Sequence, residues 1–206
     1  MNYKKYIVQQ SLLLVGLLFL FSCGSGETDK TPVVQPNAIS ETKPSGPFPF
    51  YKNIEIRPGL AFEVVSWGKG VDSLGGYLIL MSDSIKNNYK SFSVERKGVI
   101  TDVWNMDLDH DGNPEIYVEL LSKKNVKDLN VYEYAGNNFQ KINFPPLGPV
   151  SKKVYAGNDK FMIKGGDLFR SFPMVNLEDT TKKTGSEKVL QYRLSGNSFS
   201  VSEVED

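Results

Sequence analysis

From Tyr51 onward the chain is written in short apolar runs of period near two. Turn residues interrupt it about every 10 residues, a spacing typical of antiparallel sandwiches and barrels. Lys90–Arg96 alternates and places Phe92 and Val94 on one face. In 129–134, Leu129, Val131 and Glu133 face one way, and Asn130, Tyr132 and Tyr134 the other. Gly76–Met81, Val99–Trp104, Glu115–Leu120, Lys160–Ile163 and Lys188–Leu194 are further runs rich in β-branched, aromatic or leucine residues. Arg96-Lys97-Gly98, Ala135-Gly136-Asn137-Asn138 and Ser195-Gly196-Asn197 supply tight-turn chemistry between them. No stretch carries the 3.6-residue period of a useful amphipathic helix. The chain is therefore expected to be all-β: an antiparallel β-sandwich over 49–147, with 148–206 a β-rich extension of the same domain. Asn176–Glu187 is polar and reads as an exposed loop, and most aromatic residues, lying within strands, read as core.

The first 48 residues are of another kind. Lys4 and Lys5 precede the apolar run Leu12–Phe21, which has signal-peptide length and is short for a membrane span. Leu20-Phe21-Ser22-Cys23 resembles the bacterial lipobox, so residues 1–22 are expected to be removed and Cys23 lipidated. Two or more acyl chains there would anchor the protein stably, because each buried methylene contributes about 0.8 kcal/mol. Cys23 is the only cysteine, which excludes an intrachain disulfide. Gly24 in place of an aspartate after Cys23 favours the outer membrane. Residues 24–48 are rich in Pro, Ser, Thr and Gly and lack apolar periodicity, so 23–48 reads as a lipidated, disordered tether reaching roughly 25–30 Å. Without residues 1–22 the charge is near neutral with a slight acidic excess, and no basic stripe points to nucleic acid.

One loop carries chemistry. Asp107, Asp109 and Asp111 alternate, Gly112 follows, and Glu115 closes the run. Oxygen ligands at positions 1, 3, 5 and 9 around a glycine-assisted turn suit a hard cation such as calcium, with the Asn113 carbonyl completing the shell. The other reading is an Asx-rich turn whose side chains cap backbone N–H groups and hold no metal. His110 is the only histidine, which excludes Ser-His-Asp and multi-histidine zinc chemistry. Paired-carboxylate hydrolysis is disfavoured too, since these acids crowd one turn instead of facing each other across a substrate. The chain is not expected to be an enzyme.

Three segments together resemble the bacterial periplasmic inhibitors of invertebrate-type lysozyme. Ser73-Leu74-Gly75-Gly76-Tyr77 is similar to that family's Ser-Ile-Gly-Ser-Tyr strand entry. Arg96-Lys97-Gly98-Val99-Ile100 resembles its Arg-Asp-Gly-Val-Val turn, and Asp107–Val118 resembles its acidic turn and following strand. The likeness spans about residues 60–147. It implies a β-sandwich, often dimeric, that inserts a loop into a lysozyme cleft. That loop carries a Gly/Ser/Tyr motif in the family. Here the segment reads Ser122–Asp128: Ser122 fits, and the glycines and the tyrosine are absent. The resemblance makes Ser122, Lys123, Lys124, Asn125 and Lys127, with Tyr77, the candidate partner contacts. Two functions follow as expectations: a lipid-anchored envelope protein that blocks a lysozyme-like muramidase, or a non-inhibitory binding or scaffold lipoprotein with a calcium-stabilised sandwich.

Overall fold

The computed structural model describes residues 48–68, 74–123, 125–181 and 183–204. The signal segment, Cys23, the tether and Lys124 lie outside the described residues. The chain divides into two units, 1–41 and 42–206, and every described residue belongs to the second.

Twelve strands form three antiparallel four-stranded sheets. The first is a meander of β1 (Phe50–Arg57), β2 (Leu60–Trp67), β3 (Leu74–Asp83) and β4 (Asn88–Lys97). The second is a meander of β5 (Val99–Met106), β6 (Glu115–Lys123), β7 (Val126–Ala135) and β8 (Asn138–Ile142). A six-residue helix, α1 (Pro149–Val154), leads to the third sheet. That sheet holds β9 (Lys160–Lys164), β10 (Asp167–Val175), β11 (Lys183–Ser195) and β12 (Ser198–Val204), in the order β12-β11-β10-β9.

The expected all-β class and sandwich packing are present, and the extension makes a third layer. Phe62, Val64, Tyr77 and Ile79 of the first sheet share one core with Val103, Ile116, Val118 and Tyr132 of the second. Tyr117, Leu129 and Val131, from the opposite face of the second sheet, share another with Leu168, Phe172, Leu190 and Tyr192 of the third. Alternation across a pleated strand explains how one sheet serves both cores. The first six residues of β6 are accordingly all buried. Each fully buried aliphatic side chain contributes about 1.5–3 kcal/mol, so the middle sheet is the thermodynamic centre of the fold.

The chain passes from the first sheet to the second at a single residue, Gly98. Its φ is +144°, and a Cβ there would lie 2.6 Å from the Leu121 carbonyl oxygen. The Arg96-Lys97-Gly98 turn thus joins strands of different sheets and is not a hairpin. Arg96, itself buried, donates from Nη1 to the Gly98 carbonyl at 2.7 Å.

Two sequence readings are corrected. The exposed loop expected over 176–187 is shorter, because β11 starts at Lys183 and Glu187 pairs with Pro173 of β10. β10 itself and the short helix α1 carried no recognised pattern. Tyr77, a candidate partner contact, is fully buried between the first two sheets. Its hydroxyl lies 2.7 Å from that of Tyr132 and accepts a bond from Asn130 Nδ2 at 3.0 Å. Packed there, it meets no partner surface.

Candidate metal site

The β5–β6 loop, residues 107–114, is fastened at both ends by burial. Leu108 is a buried plug in the second core, where Trp104 stacks on Tyr117 with ring centroids 5.7 Å apart. Gly112, at φ +86°, and His110, at φ +60°, take the left-handed turns that fold the aspartates inward. The Pro114 carbonyl accepts the Tyr134 N–H at 3.0 Å and ties the loop's exit to β7.

One carboxylate oxygen from each of Asp107, Asp109, Asp111 and Glu115 falls within 4.8 Å of the others. Oxygens on opposite sides of a calcium ion, at 2.3–2.6 Å from it, are separated by about 4.6–5.2 Å, so the cluster has the span of a calcium shell. His110 is exposed and outside the cluster.

The aspartates also cap backbone groups. Asp107 Oδ2 accepts the Gly112 N–H at 3.0 Å, Asp109 Oδ1 the Asp111 N–H at 3.4 Å, and Asp111 Oδ1 the Asn113 N–H at 2.8 Å. Asn113 Nδ2 donates to Asp111 Oδ2 at 2.8 Å. Capping accounts for the aspartates but for only one oxygen of Glu115. Glu115 is wholly buried; its Oε2 accepts the Leu108 N–H at 2.7 Å, while its Oε1 has no partner. A buried carboxylate oxygen with no donor is costly unless a proton or a cation compensates it. Burial, then the charges of Asp109, Asp107 and Asp111, push its pKa up to about 8, against the opposing Leu108 N–H bond.

Glu133 is a fifth acid that the loop motif does not contain. It sits directly across from Glu115 on β7, is buried, and its pKa is raised by burial and by Asp111 and Asp109. The signal for it was present in the sequence: an acid in the same strand phase as Leu129 and Val131, where apolar residues belong.

The candidate contact segment is compact. β6 pairs through Lys123 with Val126 of β7, leaving two residues in the turn. Asn125, at φ +63°, is exposed, and its carbonyl accepts the Asn158 N–H at 2.5 Å. Ser122 and Lys123 are exposed, whereas Lys127 pairs with the buried Glu119 at 2.7 Å. A buried ion pair fixes this hairpin to the third sheet. Arg170 Nε donates to Asp159 Oδ1 at 2.8 Å, and Asp159 Oδ2 accepts the Lys127 N–H at 2.9 Å and the Tyr155 hydroxyl.

Beside the acidic loop, the open end of the first two sheets forms a cleft of about 430 Å³. The β1–β2 and β3–β4 turns supply Arg57, Asp83, Lys86 and Asn88. The second sheet supplies Asn105, Tyr134 and Asn137, and Asp107, Gly112, Asn113 and Pro114 of the acidic loop form a wall. Compared with known proteins, the chain matches no family model, no curated protein and no solved structure.

Proposed function

We propose that this chain is a non-enzymatic binding or scaffold lipoprotein of the bacterial cell envelope, tethered through Cys23, with a calcium ion holding its β5–β6 loop. The observation that carries the reading is the buried, unpartnered Oε1 of Glu115 among three aspartate carboxylates. Asp107, Asp109, Asp111 and Glu115 would hold the ion, with the Asn113 carbonyl added. Four carboxylates in a cluster of this span suit calcium better than magnesium, which demands near-ideal octahedral geometry and keeps its water. The ion's role is structural: it neutralises like charges and fixes the loop between two strands of the middle sheet.

The two-residue β6–β7 turn, anchored on Asn158, supports the non-inhibitory reading over insertion of a long loop into an enzyme cleft. The second reading, a lysozyme-binding protein, draws on one observation. The segments that resemble the inhibitors follow one another through the entry of β3, the β4–β5 turn and the β5–β6 loop.

Melting with millimolar calcium and with chelator tests the first reading. A native-state ligand stabilises by mass action, about 2.7 kcal/mol at a hundredfold excess over Kd. Several degrees of stabilisation are expected, and a shift under about one degree would argue against a specific site. Assays against invertebrate-, chicken- and goose-type lysozymes separate the readings: inhibition at micromolar protein would replace the scaffold reading by the inhibitory one.

A further inference from the structure

We propose that the cleft at the open end of the first two sheets binds an uncharged glycan, and that calcium in the β5–β6 loop controls this binding. The inference rests on the calcium reading and extends it to a ligand. The cleft's volume, about 430 Å³, lies in the range of small-molecule sites. Its lining is unusual for an apolar ligand, because side-chain amides converge on it from both sheets: Asn88 from one, Asn105 and Asn137 from the other. An amide both donates and accepts, which matches hydroxyl and acetamido groups. Asn88 Nδ2 and the Tyr134 hydroxyl both donate to Asn137 Oδ1, at 2.7 Å each, which presets these groups. Asn105 is half-buried, and its side chain makes no hydrogen bond among the described residues. That amide is left for a ligand.

Charge selects against ions. Arg57 and Lys86 balance Asp83 and Asp107 in the lining, and Arg57 is paired with Asp83 at 3.4 Å. An anion would meet Asp107 and the acids behind it, whereas a cation would be drawn into the acidic cluster itself. A neutral polyhydroxyl ligand meets neither obstacle.

The coupling follows from the chain. Asn113 and Pro114, which form part of the cleft wall, lie between Asp111 and Glu115. An ion drawing those two carboxylates together fixes the wall between them. Without it, the like charges of the three aspartates push the loop apart.

The test is calorimetry on the full-length chain in a sugar-free detergent, with chitotriose and cellotriose as probes. With millimolar calcium, at least one sugar should bind, and chelator should weaken it by about tenfold or more. Asn105→Ala, and separately Asn88→Ala, should weaken the sugar by about tenfold while calcium affinity and melting temperature stay as in the parent. Calcium binding with no response to millimolar sugar overturns the glycan site and leaves the calcium reading standing. Equal sugar affinity in calcium and in chelator overturns the control by calcium. Absence of calcium binding, measured without sugar, overturns the calcium reading and the control together, whatever the sugar does.

Discussion

At the scale of single residues, Glu115 sets how the loop responds to pH and metal. Its folded-state pKa of about 8 lies above its ordinary 4.5, so the folded protein holds the proton more tightly than the unfolded chain. In metal-free protein this group's stabilisation is present in full at low pH and is lost as pH rises through about 8. The melting temperature in chelator should therefore carry a falling component between about pH 5 and pH 9. With calcium the sign reverses, because the ion binds the ionised carboxylate and binding releases the proton. A melting series with and without chelator reads both slopes. Glu115→Gln keeps the shape and removes the charge. It should weaken calcium by about one to two orders of magnitude, and in chelator it should flatten the pH slope. The loop motif was legible because its ligand spacing is local, within nine residues. Glu133 was legible only as an acid in an apolar strand phase, and its place opposite Glu115 comes from the β6–β7 register.

At the scale of elements, legibility followed burial. Runs such as Lys90–Arg96 and Leu129–Tyr134 face a core on one side and alternate accordingly. β10 hid because Arg170 occupies an inward phase between Leu168 and Phe172 and Pro173 interrupts the run. The Arg170 charge is paired by Asp159, supplied from outside the strand, and Arg170 Nη2 donates to the Lys127 carbonyl. The start of β11 hid for a different reason: residues 183–187 are exposed and polar, and pairing with β10 alone makes them a strand. Two substitutions test these joints. Asp159→Ala leaves Arg170 buried without its partner and releases the Lys127 N–H, so it should cost about 3–5 kcal/mol in urea unfolding. Replacing Arg170 and Asp159 together by apolar residues should recover much of that. Gly98→Ala drives a Cβ into the Leu121 carbonyl at positive φ and should cost about 1–3 kcal/mol or more. Gly136→Ala, at φ +56° with open space around it, reads the milder cost of a left-handed turn without a clash.

At the scale of the whole molecule, the middle sheet is buried on both faces, and this decides what each outer layer does. The sequence separates 49–147 from 148–206 by resemblance, and the segment after residue 147 has no counterpart in the short inhibitors it resembles. Physically the two parts are not separable. Tyr117, Leu129, Val131 and Ile142 are each at most 4% exposed because the third sheet lies over them. An antiparallel sheet can face water on one side only if that side is polar, and this one is not. A chain ending at residue 147 would present these side chains as a contiguous apolar patch, the kind that drives association. It would also remove Asp159 and Asn158, which hold the β6–β7 hairpin. The truncated chain should therefore be recovered as aggregate or as dye-binding, loosely packed material, while the chain through residue 206 stays monodisperse. Substituting Leu129 and Val131 by threonine in the truncated chain should restore part of its solubility. Size-exclusion chromatography with hydrophobic-dye fluorescence reads both outcomes. A truncated chain that ran as a compact, dye-silent monomer would mean that the first two sheets form a complete fold and that the third is an independent addition.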